Sequence, residues 1–451
     1  MSSSMTEISS PLELAGQLVE RALKAGADSA DATAFRDTSL GVNWRLGELE
    51  ELERSESTDM GLRVFVGQRQ AIVSTTDPSD DTISELVERA VAMAKIAPED
   101  EFAGLAEADR LASAIPELEL DANDEPDPER LMEAAAEAED AARAVEGVTN
   151  SEGASSGWHR INSAMAASNG FSGSYSGTSS SIAASVIAGE GLGMERDGEH
   201  RVARYRSDLP SPAEIGTEAG RRAVRKLNPQ KLATQTMPVI FDDRSARSLL
   251  GHLIGGITGP AITRGTSFLK DSMGEAVFAP GITVREDPHK LRGLRSHPFD
   301  GEGLATRGYD LIDDGKLTTW LLNCRSARQL GLEPTGHATR GTSGSPSPGP
   351  SNLWLEPGSA SPEEMIGEIE DGLYITFLIG FGVNGVTGDY SRGAGGFRIE
   401  NGELTYPVNE VTVAGNLKDM FASMTPASDL EFLFGTDAPS VRIDGMTVAG
   451  T

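Results

Sequence analysis

The densest chemistry in the sequence lies between Gly380 and Asp419. Asn384, Thr387, Gly388, Asp389, Tyr390, Ser391 and Arg392 follow one another among glycines at 380, 382, 385, 393, 395 and 396, and Asn416 comes soon after. Amide, hydroxyl, carboxylate and guanidinium groups on one glycine-rich stretch suit the binding of a polar ligand or an extended backbone. Arg392 can meet a carboxylate, and glycines let a second chain approach closely. A glycine-rich barrel corner with solvated polar residues fits the same pattern.

Metal-dependent hydrolysis needs preplaced His, Cys or carboxylate ligands, commonly two His on one helix face with a Glu beside them. The six histidines, at 159, 200, 252, 289, 297 and 337, show no such spacing. His252 falls in a helix beginning near Ser245, and reads as an ordinary packed or surface histidine. Cys324 follows the apolar Trp320-Leu321-Leu322 and reads as a reduced, partly buried thiol. Glu286, Asp287, Asp300 and Glu302 sit in turn-like stretches, where carboxylates accept from backbone N–H groups. The serines lie in no G-x-S-x-G elbow.

The elements that must position these groups divide the chain in two. In 1–228, Ser10-Pro11 opens a helix to Gly26; strands are expected at 30–36 and 40–45, joined by a polar turn, and a hairpin turns at Gly67-Gln68. A second amphipathic helix covers 82–96. Residues 98–128 are acidic and rich in Ala and Pro, as in a surface connection. Pro128 opens a third helix, whose acids Glu129, Glu133, Glu137, Glu139 and Asp140 read as a solvated face. The small residues of 148–189 predict a meander of two or three strands, and 211–227 a further helix.

In 229–451 the pattern predicts a strand at 238–241, the helix from Ser245, and short strands at 282–284, 309–312, 318–322 and 352–355. A Gly/Ser/Pro-rich mobile loop is expected at 335–350, a helix at 362–369, and a hairpin around Glu400-Asn401-Gly402-Glu403. The fold class expected is α+β: an N-terminal α/β domain with an antiparallel sheet, and a C-terminal antiparallel barrel-like domain with a few helices.

Bulk properties narrow the function. The chain of 451 residues exceeds one ordinary core, and its formal charge of −30 argues against direct contact with a nucleic-acid backbone. One cysteine permits no intrachain disulfide. The N-terminus has neither the basic start nor the apolar core of a secretory signal, and no apolar run is long enough to cross a bilayer. A cytoplasmic protein without membrane contact is expected.

Several motifs resemble the TldD/PmbA family, and within it the PmbA (TldE) branch, over nearly the whole chain. They are Arg264 to Leu269, Phe299 to Gly303, Ser326 to Gly331 with Thr335-Gly336, Val386 to Gly393, and Ala414 to Asp419. The resemblance implies a cytoplasmic complex that cleaves unfolded or small peptides. It also implies a TldD-like partner holding zinc or iron through a His-Glu-x-x-x-His helix. The corresponding helix here reads Arg247-Ser248-Leu249-Leu250-Gly251-His252, so only the last His matches. The branch implies no metal and no catalytic residue in this chain; on that reading Asn384, Thr387 to Arg392 and Asn416 are expected to line a substrate channel, through the glycine backbone and the Arg392 charge. An autonomous hydrolase built on His252, His289 or His297, a homodimer, and a regulatory adaptor of the modulator-of-DNA-gyrase kind are the alternatives.

Overall fold

The computed structural model describes residues 10–450; residues 1–9, the first part of the N-terminal stretch read for a secretory signal, lie outside them. Helix α1 (Pro11–Lys24) starts on a capping box, with Ser10 and Glu13 satisfying each other's backbone N–H groups. Its buried face, Leu14, Ala15, Leu18, Val19 and Ala22, packs with α2 (Asp80–Ile96) on one face of a six-stranded antiparallel sheet.

That sheet runs β3-β2-β1-β4-β5-β6, from β1 (Ser29–Arg45), β2 (Glu48–Val66), β3 (Arg69–Thr75), β4 (Val148–Ala167), β5 (Ser172–Ala188) and β6 (Glu195–Ala203). The polar turn expected inside 30–45 is absent: β1 is one strand of 17 residues, hydrogen-bonded along its length to β2 and β4. Polar residues such as Asp37 and Ser39 mark the half-exposed face of a long strand rather than a turn.

Helices α3 (Pro128–Arg143) and α4 (Pro212–Arg225) cover the other end of the sheet. Gly216 makes their close crossing possible, since a Cβ there would lie 1.9 Å from the Ala138 carbonyl oxygen. The acidic face of α3 is not wholly solvated. Glu139 is fully buried and accepts from Leu46 N (2.7 Å) and Gly47 N (2.9 Å), tying the β1–β2 turn to the helix.

The C-terminal half forms a closed antiparallel-rich barrel. Strand β7 (Gln235–Phe241) lies between Asp371–Ile379 and Val441–Ala449, the hairpin Asp389–Glu400 and Glu403–Asn416 continues the sheet, and 412–414 pairs back onto 447–449. Helix α5 (Asp243–Ile257) packs against this barrel through Leu249, Leu250, Leu253 and Ile257. The α+β class expected from sequence is the fold observed.

Three local expectations need correction. The stretch 318–322 forms no strand, because the ladder ends at Leu317 and only an isolated bridge of Leu321 with Thr258 follows, and the strand expected at 282–284 runs Val284–Asp287. The Gly/Ser/Pro-rich segment 335–350 is docked: Thr339 pairs with Ser347, and the Thr342 backbone rests on Gly61, where any Cβ would collide. Among the described residues no helix is long and apolar enough to cross a membrane.

Candidate functional site

The glycine stretch lies between the strands Asp371–Ile379 and Asp389–Glu400. Five of the eight residues singled out from sequence meet in one turn. Asn384 Oδ1 accepts from Val386 N (3.0 Å) and Thr387 N (3.3 Å), and Thr387 Oγ1 donates to Asp389 Oδ2 (2.6 Å). Asn416 Nδ2 donates to Thr387 O (3.1 Å) and Asp389 Oδ1 (3.2 Å), while Leu417 N donates to Gly388 O (2.7 Å). The Thr387 and Asn416 hydrogen bonds hold the exposed Asp389 carboxyl below its usual range. These side chains therefore brace the loop while Asn384, Thr387 and Asp389 stay exposed themselves, and beside them Ile379, Phe381 and Val386 are exposed, Phe381 almost completely.

The other three residues follow strand alternation. Ser391 points outward, whereas Tyr390 is buried and Arg392 half-buried. Tyr390 meets the imidazole of His252 edge-on, with centroids 5.8 Å apart, so the barrel strand and α5 bring together residues 138 positions apart. Tyr390 Oη, His252 Nε2 and Arg392 Nε are all buried without a hydrogen-bond partner. Burial pushes the Tyr390 hydroxyl up to about 12, outweighing both the charge and the hydrogen-bonding pull of the Arg392 guanidinium beside it. Burial, then Arg392, lowers His252, which is therefore neutral at pH 7.

This donor set does not fit a metal ion. Its companions to His252 are a protonated phenol and a cation, and cations repel one another. On the same helix, Ser248 Oγ donates to Ser245 O (2.7 Å), and the Arg247 guanidinium stacks 4.2 Å from the Phe434 ring centroid. Among the described residues no group of three or more His, Cys, Asp or Glu is arranged to hold a metal ion.

The remaining candidates are structural. Asp300 accepts from Glu302 N, Leu304 N and Ala338 N, and Glu302 accepts from Cys324 N (2.7 Å), as turn acids should. Cys324 is buried, and burial, then Glu302, raises its thiol far above the usual range. His289 Nε2 lies 2.9 Å from Thr306 Oγ1, and His297 Nδ1 lies 2.9 Å from Arg295 O. Sequence reasoning missed the buried pair His337–Glu286, 2.9 Å apart, because its members are 51 residues from each other.

Comparison with known proteins decides the family. Sequence descriptions of the PmbA/TldA metallopeptidase match in three parts: domain 1 over residues 30–94, the central domain over 121–227 and the C-terminal domain over 234–450. The Metalloprotease PmbA of Escherichia coli O157:H7 is 40% identical, covering 94% of this chain and 93% of its own length. The chain belongs to the PmbA/TldD family. A PmbA homolog of Haemophilus influenzae is 38% identical over 96% of the chain and 94% of its own. Among solved structures, a candidate modulator of DNA gyrase from Bacteroides thetaiotaomicron superposes with a TM-score of 0.90 at 27% identity, covering 97% of this chain and 98% of its own. TldE from Thermococcus kodakarensis shares the fold, with a TM-score of 0.86 at 21% identity over 97% and 100% of the two chains.

Proposed function

We propose that this PmbA/TldD-family chain is the non-metal subunit of a cytoplasmic peptidase, gripping unfolded or small peptides while a TldD-like partner carrying zinc or iron cuts them. The observation that carries the reading is the character of α5. Its half-buried positions carry Arg247, Ser248 and His252, and His252 is flanked by Tyr390 and Arg392 instead of carboxylates. The names of the relatives supply the peptidase context.

Gripping falls to the glycine stretch. Its self-braced turn costs little further ordering when a peptide arrives, and Ile379, Phe381 and Val386 offer apolar contact beside backbone N–H and C=O groups. Ser391 on the outer face adds a hydroxyl. A second reading, a regulatory adaptor, draws on the name of the Bacteroides neighbour; with a charge of −30, such action would run through protein contact rather than DNA.

Purified chain, alone and mixed with a TldD-like protein, is assayed on an unstructured peptide, with metal content measured in parallel. Cleavage is expected only in the mixture. Metal-dependent cleavage by the isolated chain would return the assignment to an autonomous hydrolase.

A further inference from the structure

A cleft of about 610 Å³ separates the open face of the first sheet from α5. Its floor is a row of cross-strand neighbours, Asn43, Ser155, Ala183 and His200, on β1, β4, β5 and β6. Small side chains in the middle of that row leave room above the sheet. The far wall carries Asp243 and Arg247, one helical turn apart on α5, together with Phe434. The Phe434 ring stacks on His200 (centroids 5.8 Å apart, 18° between planes), and the Arg247 guanidinium lies 4.2 Å from the same ring centroid.

The charges lining the cleft are nearly all committed. Glu199 pairs with Arg201 and Arg222, Arg244 with Asp197, Glu152 with Arg196 and Glu50 with Arg45. Burial, then the Arg247 charge, lowers His200, leaving it neutral at pH 7. Among the described residues Arg247 has no hydrogen bond and no ion pair. A guanidinium seated over an aromatic ring, with its N–H fork unused beside a cavity of ligand size, is organised to receive a planar anion.

We propose that this cleft binds the carboxylate of a peptide, with Arg247 as its anchor and Phe434 fixing the plane of the guanidinium. That the carboxylate belongs to a peptide rests on the function proposed above; the anion site rests on the cleft alone. The acids Glu50, Glu152, Glu199 and Asp243 around the same space disfavour a dianion such as phosphate and leave a single negative charge as the better match. The site lies apart from the glycine stretch and gives the chain a second hold on an extended ligand.

The test is calorimetric titration of the isolated full chain with N-acetylphenylalanine, its C-terminal amide, inorganic phosphate and an unstructured peptide. The free acid is expected to bind, with the amide and phosphate at least about tenfold weaker. Arg247→Met keeps the apolar stem on Phe434 and should lose the acid by the same factor, whereas Arg247→Lys should recover part of the affinity; thermal melts establish that both variants fold. Equal binding of acid and amide, tighter binding of phosphate, or full affinity in folded Arg247→Met overturns the site. If the acid fails to bind while the longer peptide still does, the anion site alone is lost. Binding of the acid without the longer peptide keeps the site and removes the peptide-gripping reading.

Discussion

Tyr390 and His252 face each other nearly at right angles across the junction of barrel and helix α5, and neither polar atom makes a well-formed hydrogen bond there. A buried hydroxyl without a partner costs desolvation energy and returns nothing. Tyr390→Phe should therefore leave the isolated chain as stable as before, or more stable by about 1 kcal/mol, in urea unfolding. A clear destabilisation would show that the hydroxyl is satisfied. If the junction contacts peptide, the same variant should lose affinity while keeping its stability.

A second expectation concerns how the two halves are held. Asp31 on β1 receives Arg63 Nη2 at 2.5 Å and Arg340 Nη1 at 2.5 Å, all three side chains being buried. Burial works to raise the Asp31 carboxyl, but Arg340 and Arg63 outweigh it and hold it below the usual range. Asp31→Asn takes away the one ion-pair partner of Arg340 and leaves Arg63 only Glu302, 3.8 Å away, so about 3–5 kcal/mol of stability should be lost. The segment 338–342, which carries Arg340 onto β1 and β2, should then show faster amide exchange.

How much of this was legible in the sequence follows from the range of each signal. Capping boxes, hairpin turns and the apolar stripes of α1 and α2 are local, and the corresponding helices and turns appear as expected. The length of β1 was not legible, because its half-exposed polar residues look like a turn until β4 is known to pair with them. Glu139 shared the sequence signature of a solvated acid, yet the β1–β2 turn needs it for two N–H groups. The glycine stretch stood out in sequence as a candidate site, with its polar side chains expected to face a ligand. The structure turns several of them onto one another and joins Tyr390 to His252, a pairing across 138 residues that no local pattern encodes.

Asp242 gives a pH test of the start of α5. It caps the helix by accepting from Ser245 N at 2.8 Å, and burial, then Asp243, pushes its carboxyl up to about 7. The folded chain thus keeps a proton that the unfolded chain gives up near the model-compound value of 3.8, so this group's contribution falls as pH rises from about 4 to about 7. Asp242→Asn preserves a good cap and removes the titration. The variant should match the parent near pH 4 and exceed it by up to about 4 kcal/mol above pH 7. A stability difference that stays constant across this range would refute the assignment.

The glycine stretch can be tested without touching a polar side chain. A Cβ on Gly382 would lie 1.9 Å from the Ser391 carbonyl oxygen, and Ser391 N donates to Gly382 O at 2.7 Å. Backbone cannot yield as a flexible side chain does, so Gly382→Ala must lift the loop from the strand and break that bond. The loop is exposed around this point, so global stability should fall by only about 1 kcal/mol. Local order should suffer far more: the Ser391 amide, protected in the parent, should exchange rapidly. If the stretch grips peptide, retention by the variant should drop with that protection, since the ligand must now bear the cost of ordering the loop. Unchanged protection at Ser391 would mean the loop accommodates the methyl group in place, and its close seat on the strand would not be what shapes the surface.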